Sequence, residues 1–181
     1  SLIVLFVFSL YLAIGSSIDI YLSSLFYNDK QQFILQGDYF ITIVFRKIFI
    51  PIILVYLLIL PFLSIYFPIK KLYFGFEFKI NEIFLIFGSI LFNLIVVINV
   101  LLKNLWGRAR PNDILPLGGK ESFTPWFKIS DACDVNCSFV SGDASVGFSI
   151  VILYFITNNI SFFWIAMIMG SSIGIIRILE G

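Results

Sequence analysis

Apolar positions in this chain come in long unbroken blocks. Crossing the hydrocarbon core of a bilayer takes about 20 mostly apolar residues, and blocks near that length recur along the sequence. The first covers residues 2–18, the second 48–67, the third 83–102 and the fifth 162–176, ending at Arg177. The fourth, 144–156, is short unless it begins near Phe139. Pro51 and Pro61 fall inside the second block, where a membrane helix tolerates them as kinks. Residues 19–47 are mixed, with Asp19, Asp29, Asp38, Arg46 and Lys47, and are expected to form an interfacial or re-entrant connection. Residues 68–82 are a short charged loop, 103–141 a long polar loop, and "TNNIS" a turn. The pattern predicts an all-α polytopic transmembrane helical bundle with about five spans visible. With no internal repeat, it forms one membrane-embedded domain over residues 1–181. The first block also fits a signal-peptide core, although no basic flank precedes it.

Composition agrees. Of 181 residues, 60% are hydrophobic and 13% charged, against about 45–50% and about 25% in a soluble domain. A net charge of +1 gives no electrostatic footprint for nucleic acid. There are no histidines and two cysteines, a poor donor set for zinc, and no metal or cofactor is expected. Cys133 and Cys137 are either a short-loop disulfide or two free thiols. The chain opens at Ser1 inside an apolar run and stops at Gly181 without a polar tail, as expected of a fragment.

Counting crossings puts 19–47, 103–141 and Arg177 on one side of the membrane, and 68–82 and 157–161 on the other. Lys70, Lys71 and Lys79 in the short loop favour the cytoplasm for it. The long loop then faces the periplasm of a bacterial inner membrane, where a disulfide can persist. That loop carries more basic residues still, so they call for another explanation.

Chemistry supplies one. "KNLWGRARP" holds Lys103, Arg108 and Arg110. An Arg fork fits phosphate oxygens and Lys acts as a point charge; snorkelling interfacial cations fit equally well. In "SFVSGDAS", Ser141 is a natural helix N-cap and Gly142 permits close backbone approach. The helix behind them would aim its free N–H groups and positive dipole end at a bound anion, although a plain capped helix reads the same way. Arg177 ends an apolar run, which marks a functional candidate or a helix-end anchor.

Taken together these residues resemble the type 2 phosphatidic acid phosphatase superfamily of membrane lipid phosphate phosphatases. Its first motif is Lys, six residues, Arg-Pro, matched by Lys103, Arg110 and Pro111. Its second, Pro-Ser-Gly-His, is matched at Ser141 and Gly142. Its third, Ser-Arg, five residues, His, three residues, Asp, is matched at Arg177, and the chain ends before that motif is complete. The resemblance covers about residues 83–181 and implies six helices in the intact chain. It further implies that Lys103, Arg110 and Arg177, with Arg108 as an addition, hold phosphate alongside Ser141 and the Gly142 N–H. The nucleophilic histidine and the aspartate that orients it would lie beyond Gly181.

Asp143 replaces the second-motif histidine, the family's proton donor. A carboxyl group can donate only if it is held neutral. Burial favours that state, while three cations and a helix N-terminus oppose it. Asp143 is therefore a candidate catalytic acid. Otherwise the leaving group needs no strong acid, or the chain binds without turnover. The Cys137 context resembles the bacterial branch that includes lipid A phosphatases. "FTPWFK", Phe123 to Lys128, suits an interfacial anchor or a lid.

The expected function is metal-independent hydrolysis of a phosphate monoester or diphosphate on a membrane lipid, through a phosphohistidine, at the periplasmic face. Lipid A, phosphatidic acid, phosphatidylglycerol phosphate and polyprenyl diphosphate all fit this chemistry. The partners are the lipid substrate and the bilayer, with no nucleic acid, and the oligomeric state stays open. The alternatives are a non-catalytic lipid-phosphate binder or transporter, and a structural subunit anchored by its basic loop.

Overall fold

A computed structural model describes residues 17–28, 32–35, 40–67, 73–134, 137–138 and 140–181. Nearly all of the first apolar block, together with Asp29, Asp38, Lys70, Lys71 and Phe139, lies outside the described residues. The described chain is helical, with isolated β-bridges and no strand. Helix α1 is Ser17–Ser24, α2 is Phe40–Leu63, α3 is Ile80–Asn104, α4 is Gly142–Thr157 and α5 is Ile160–Glu180. Among the described residues, α2, α3 and α5 are long and apolar enough to cross a membrane, and α4 is shorter. The α-type bonding of α4 is interrupted at Ser149 and Ile150. The expected membrane bundle is therefore the observed architecture.

One boundary differs instructively. The second span begins at Phe40, so Arg46 and Lys47 are helical residues of α2 and not part of a connection. Charge in a sequence argues against a span only while it lacks a partner, and Arg46 finds one on another helix. At the far end, the Glu82 carboxylate accepts the Lys79 N–H at 2.8 Å and closes the first turn of α3. Ser141 caps α4. Asn158, at φ 55°, ends it, and the Asn159 side chain caps α5, so "TNNIS" is indeed a tight turn.

Helix α2 runs through both prolines by widening. Its segments Phe45–Phe49 and Val55–Ile59 use π-type turns, a common local adjustment within α-helices. In that register the Tyr56 carbonyl would accept from residue 61, but Pro61 has no N–H. The buried Tyr73 hydroxyl donates to it instead, at 2.6 Å.

The core joins Ile50, Ile53 and Leu57 of α2 to Ile86 and Ile90 of α3, Leu153 of α4, and Phe162 and Ile173 of α5. Asn93 of α3 donates to the Ser145 hydroxyl of α4 at 2.9 Å, a polar tie between apolar helices. Helices α4 and α5 meet through glycine: a Cβ on Gly147 would lie 2.8 Å from the Gly170 Cα, closer than real contacts allow. Outward-facing residues such as Phe40, Phe84, Phe92, Trp164 and Ile168 are exposed, as lipid-facing positions are. The helices alternate in direction. The start of α2, the end of α3, the start of α4 and the end of α5 therefore share one end of the bundle.

Gly147→Val should push α4 off α5 and cost about 1–3 kcal/mol as overpacking. It should show as a lower thermal midpoint in detergent. Gly88→Ala on α3, whose added Cβ meets nothing within 4 Å, should leave the midpoint unchanged or raise it.

Candidate anion-binding site

At the shared end of the bundle, Lys103, Arg110, Ser141, Gly142, Asp143 and Arg177 line one cavity of about 450 Å³. They come from three separate stretches of sequence. Lys103 sits in the last turn of α3 and Arg177 in the last turn of α5. Ser141, Gly142 and Asp143 open α4. The Ser141 hydroxyl accepts the Ala144 N–H at 3.1 Å, so its side chain holds the helix start in place. A Cβ added to Gly142 would lie 3.8 Å from the Lys103 Nζ. The ammonium thus stands over the first turn of α4, where N–H groups and the helix dipole already favour an anion.

Asp143 supplies the counter-charge. Its Oδ2 lies 3.4 Å from Arg46 Nε and 3.6 Å from Arg177 Nε. Arg177 also pairs with Glu180, whose side chain is largely buried. Arg46 lines the same cavity. Reading the sequence by blocks missed it, although a charge beside an apolar run is itself a signal.

Arg108 is placed elsewhere. It does not line the cavity. Its Nη2 lies 3.1 Å from Asp19 Oδ2, its Nε donates to the Thr124 carbonyl at 2.8 Å, and its guanidinium packs over Phe123. These contacts hold α1 against the long loop. Phe123 joins a second small core of Phe33, Ala109, Ile114 and Leu117. Of the aromatic run, Phe127 is exposed, and the Trp106 indole donates to the Trp126 carbonyl at 2.6 Å.

The long loop is folded tightly over the site. Gly107, at φ +60°, lets the Ser130 carbonyl occupy the space a side chain would fill, and the Ser130 N–H donates to Trp106. The Ser138 N–H donates to the Arg108 carbonyl. Cys133 and Cys137 are joined by a disulfide, which decides between the two states the sequence allowed. The buried Cys137 lines the cavity. Val140 enters the cradle at φ 72°, a costly conformation for a β-branched residue. Among the described residues no group of three or more metal-ligating acids, cysteines or histidines comes together. The assembled groups suit a compact, doubly charged oxyanion: a planar Arg fork, a point-charge Lys and a helix N-terminus converging on a partly enclosed space.

Comparison with known proteins points the same way. The family model of the PAP2 superfamily matches residues 82–181. A protein of Francisella tularensis subsp. novicida named lipid A 4'-phosphatase is 38% identical over 90 residues, covering 48% of this chain and 40% of that protein. A protein of the same name from Rhizobium etli is 33% identical over 87 residues, covering 48% of this chain and 34% of its own length. A third, from Rhizobium leguminosarum, is 36% identical over 76 residues, covering 41% and 33%. The matches thus span well under half of these relatives. No solved structure matches the chain significantly.

Ser141→Ala should remove the cap and cost about 1 kcal/mol, read as a lower thermal midpoint in detergent. Ser141→Asn, which can still accept the Ala144 N–H, should keep most of that stability.

Proposed function

Because the chain belongs to the PAP2 superfamily, we propose that it serves the hydrolysis of a phosphate monoester or diphosphate on a membrane lipid. The observation that carries this reading is the convergence of Lys103, Arg110, Gly142 and Arg177 on one cavity. The relatives' shared name puts lipid A first among candidate substrates. The site would face the periplasm, in keeping with the disulfide beside it.

In this reading Lys103, Arg110 and Arg177 hold the non-bridging phosphoryl oxygens. Ser141 fixes the start of α4 so that the Gly142 N–H can join them. Charge accumulates on those oxygens in the transition state, so preorganised cations lower the barrier without a metal. The nucleophile is the family's third-motif histidine, six positions after Arg177. Its ring nitrogen bonds to phosphorus as the lipid P–O bond breaks. The departing oxygen takes a proton, and water then cleaves the P–N bond to release inorganic phosphate. Asp143 occupies the donor's position in the second motif; the proton comes from it or, where the leaving group needs no strong acid, from water.

An aspartate, Asp143, at the position of the family's donor histidine favours a second reading. In it the chain binds or moves lipid phosphate without turnover.

The test is phosphate release by the full-length protein in detergent, without added metal, from lipid A, phosphatidic acid, phosphatidylglycerol phosphate and polyprenyl diphosphate. The proposal expects release from at least one of them, and Arg110→Ala should lower it by about 100-fold or more. Binding of these lipids without release from any would favour the second reading. Unchanged release in Arg110→Ala would show that the cavity is not the site.

A further inference from the structure

We propose that Arg46 is a further substrate-contacting residue of this site, supplied by α2, and that Asp143 is the residue that positions it. The inference rests on the phosphatase reading above. It adds a cation from outside residues 82–181, the segment matched by the family model, and gives Asp143 a role other than proton donor.

Placement is the first argument. A cation near the end of a membrane helix normally extends toward headgroups and water. Arg46 lines the cavity instead, with its Nε 3.4 Å from a carboxylate on a different helix. Arg177 reaches the same Oδ2 at 3.6 Å, also through Nε. One carboxylate oxygen therefore holds two guanidinium groups, one from α2 and one from α5. An Nε contact uses one of the five N–H donors of an Arg, so it fixes the direction of the Arg46 fork without consuming it.

Charge is the second argument. Arg46, Lys103, Arg110 and Arg177 line the cavity, and a fourth cation strengthens the positive field that draws a phosphate dianion to it.

Exposure separates the roles of the two arginines. The Arg46 side chain is 53% exposed and that of Arg177 is 23%. Arg177 is thus the deeper contact, and Arg46 stands at the rim, where the headgroup enters. A rim contact made alike in ground state and transition state changes KM more than kcat. Asp143 also has a geometric obstacle as an acid: its Oδ2 already faces two guanidinium groups, and donating from that oxygen would require giving up both ion pairs.

The experiment compares wild type, Arg46→Ala, Arg46→Lys, Asp143→Asn and the Arg46→Ala/Asp143→Asn double variant in the full-length protein. Phosphate release from the lipid substrate is followed as a function of pH, and thermal midpoints confirm folding. Arg46→Ala should raise KM about tenfold with kcat within about twofold, as expected for a uniform binding contact. Arg46→Lys should fall between Arg46→Ala and wild type. Asp143→Asn should raise KM likewise and keep the shape of the pH profile, and the double variant should be little worse than Arg46→Ala alone, the non-additivity of residues that act together. An unchanged KM in both Arg46 variants would overturn the inference. So would loss of the alkaline limb of the kcat/KM profile in Asp143→Asn, the mark of a missing general acid. Arg110→Ala serves as the control. Full activity there sinks the reading of the site and the inference with it, whereas loss there with normal Arg46 variants sinks the inference alone.

Discussion

The structure turns on mutual repulsion among Arg46, Lys103, Arg110 and Arg177, gathered into one cavity at the end of an apolar bundle. Like charges in a region of lowered dielectric are expensive to hold together, and they stay together only where counter-charge and scaffold oblige them to. Asp143 provides the counter-charge by facing Arg46 and Arg177 at once. Glu180 relieves Arg177 from its other side. A bound oxyanion lying among the four cations would lower their mutual repulsion further.

The scaffold is arranged so that these groups cannot drift apart. Each cation but Arg110 sits near the end of a helix, and the helices are fixed by contacts deeper in the bundle. The glycine contact of Gly147 with Gly170 locks α4 to α5. The Asn93–Ser145 hydrogen bond ties α3 to α4. Tyr73 completes the hydrogen bonding of α2 where Pro61 cannot. Above the membrane end, the disulfide and the Arg108–Asp19 pair hold the long loop. Arg108 thereby supports the site from outside its lining. Such rigidity lets fixed dipoles and charges stabilise a transition state without reorganising.

Most of the fold was legible in the sequence, because apolar block length is a direct consequence of bilayer thickness. The third and fifth spans and the α4–α5 turn fall where the blocks put them. The grouping of Lys103, Ser141, Gly142 and Arg177 was legible too, through the spacing that marks the family. The start of α2 was not. Arg46 and Lys47 read as a break because a sequence does not show that Asp143, nearly a hundred positions away, stands opposite. The same blindness joined Arg108 to the phosphate-binding group: three cations in nine residues look like one cluster, yet the chain turns at Gly107 and sends Arg108 to Asp19. The partnership of Tyr73 with Tyr56 depends on a π-type register that no local pattern announces. Contacts between distant segments were the illegible part, and they decide which charges face one another.

The most direct test of the central claim is to locate a bound oxyanion. Tungstate, an electron-dense phosphate mimic, would be added to the purified full-length protein and its position determined by crystallography or electron microscopy. The account predicts tungstate in the cavity, within hydrogen-bonding distance of the Lys103 ammonium, the Arg110 and Arg177 guanidinium groups and the Gly142 N–H. Tungstate bound only elsewhere, with this cavity empty at saturating concentration, would contradict it.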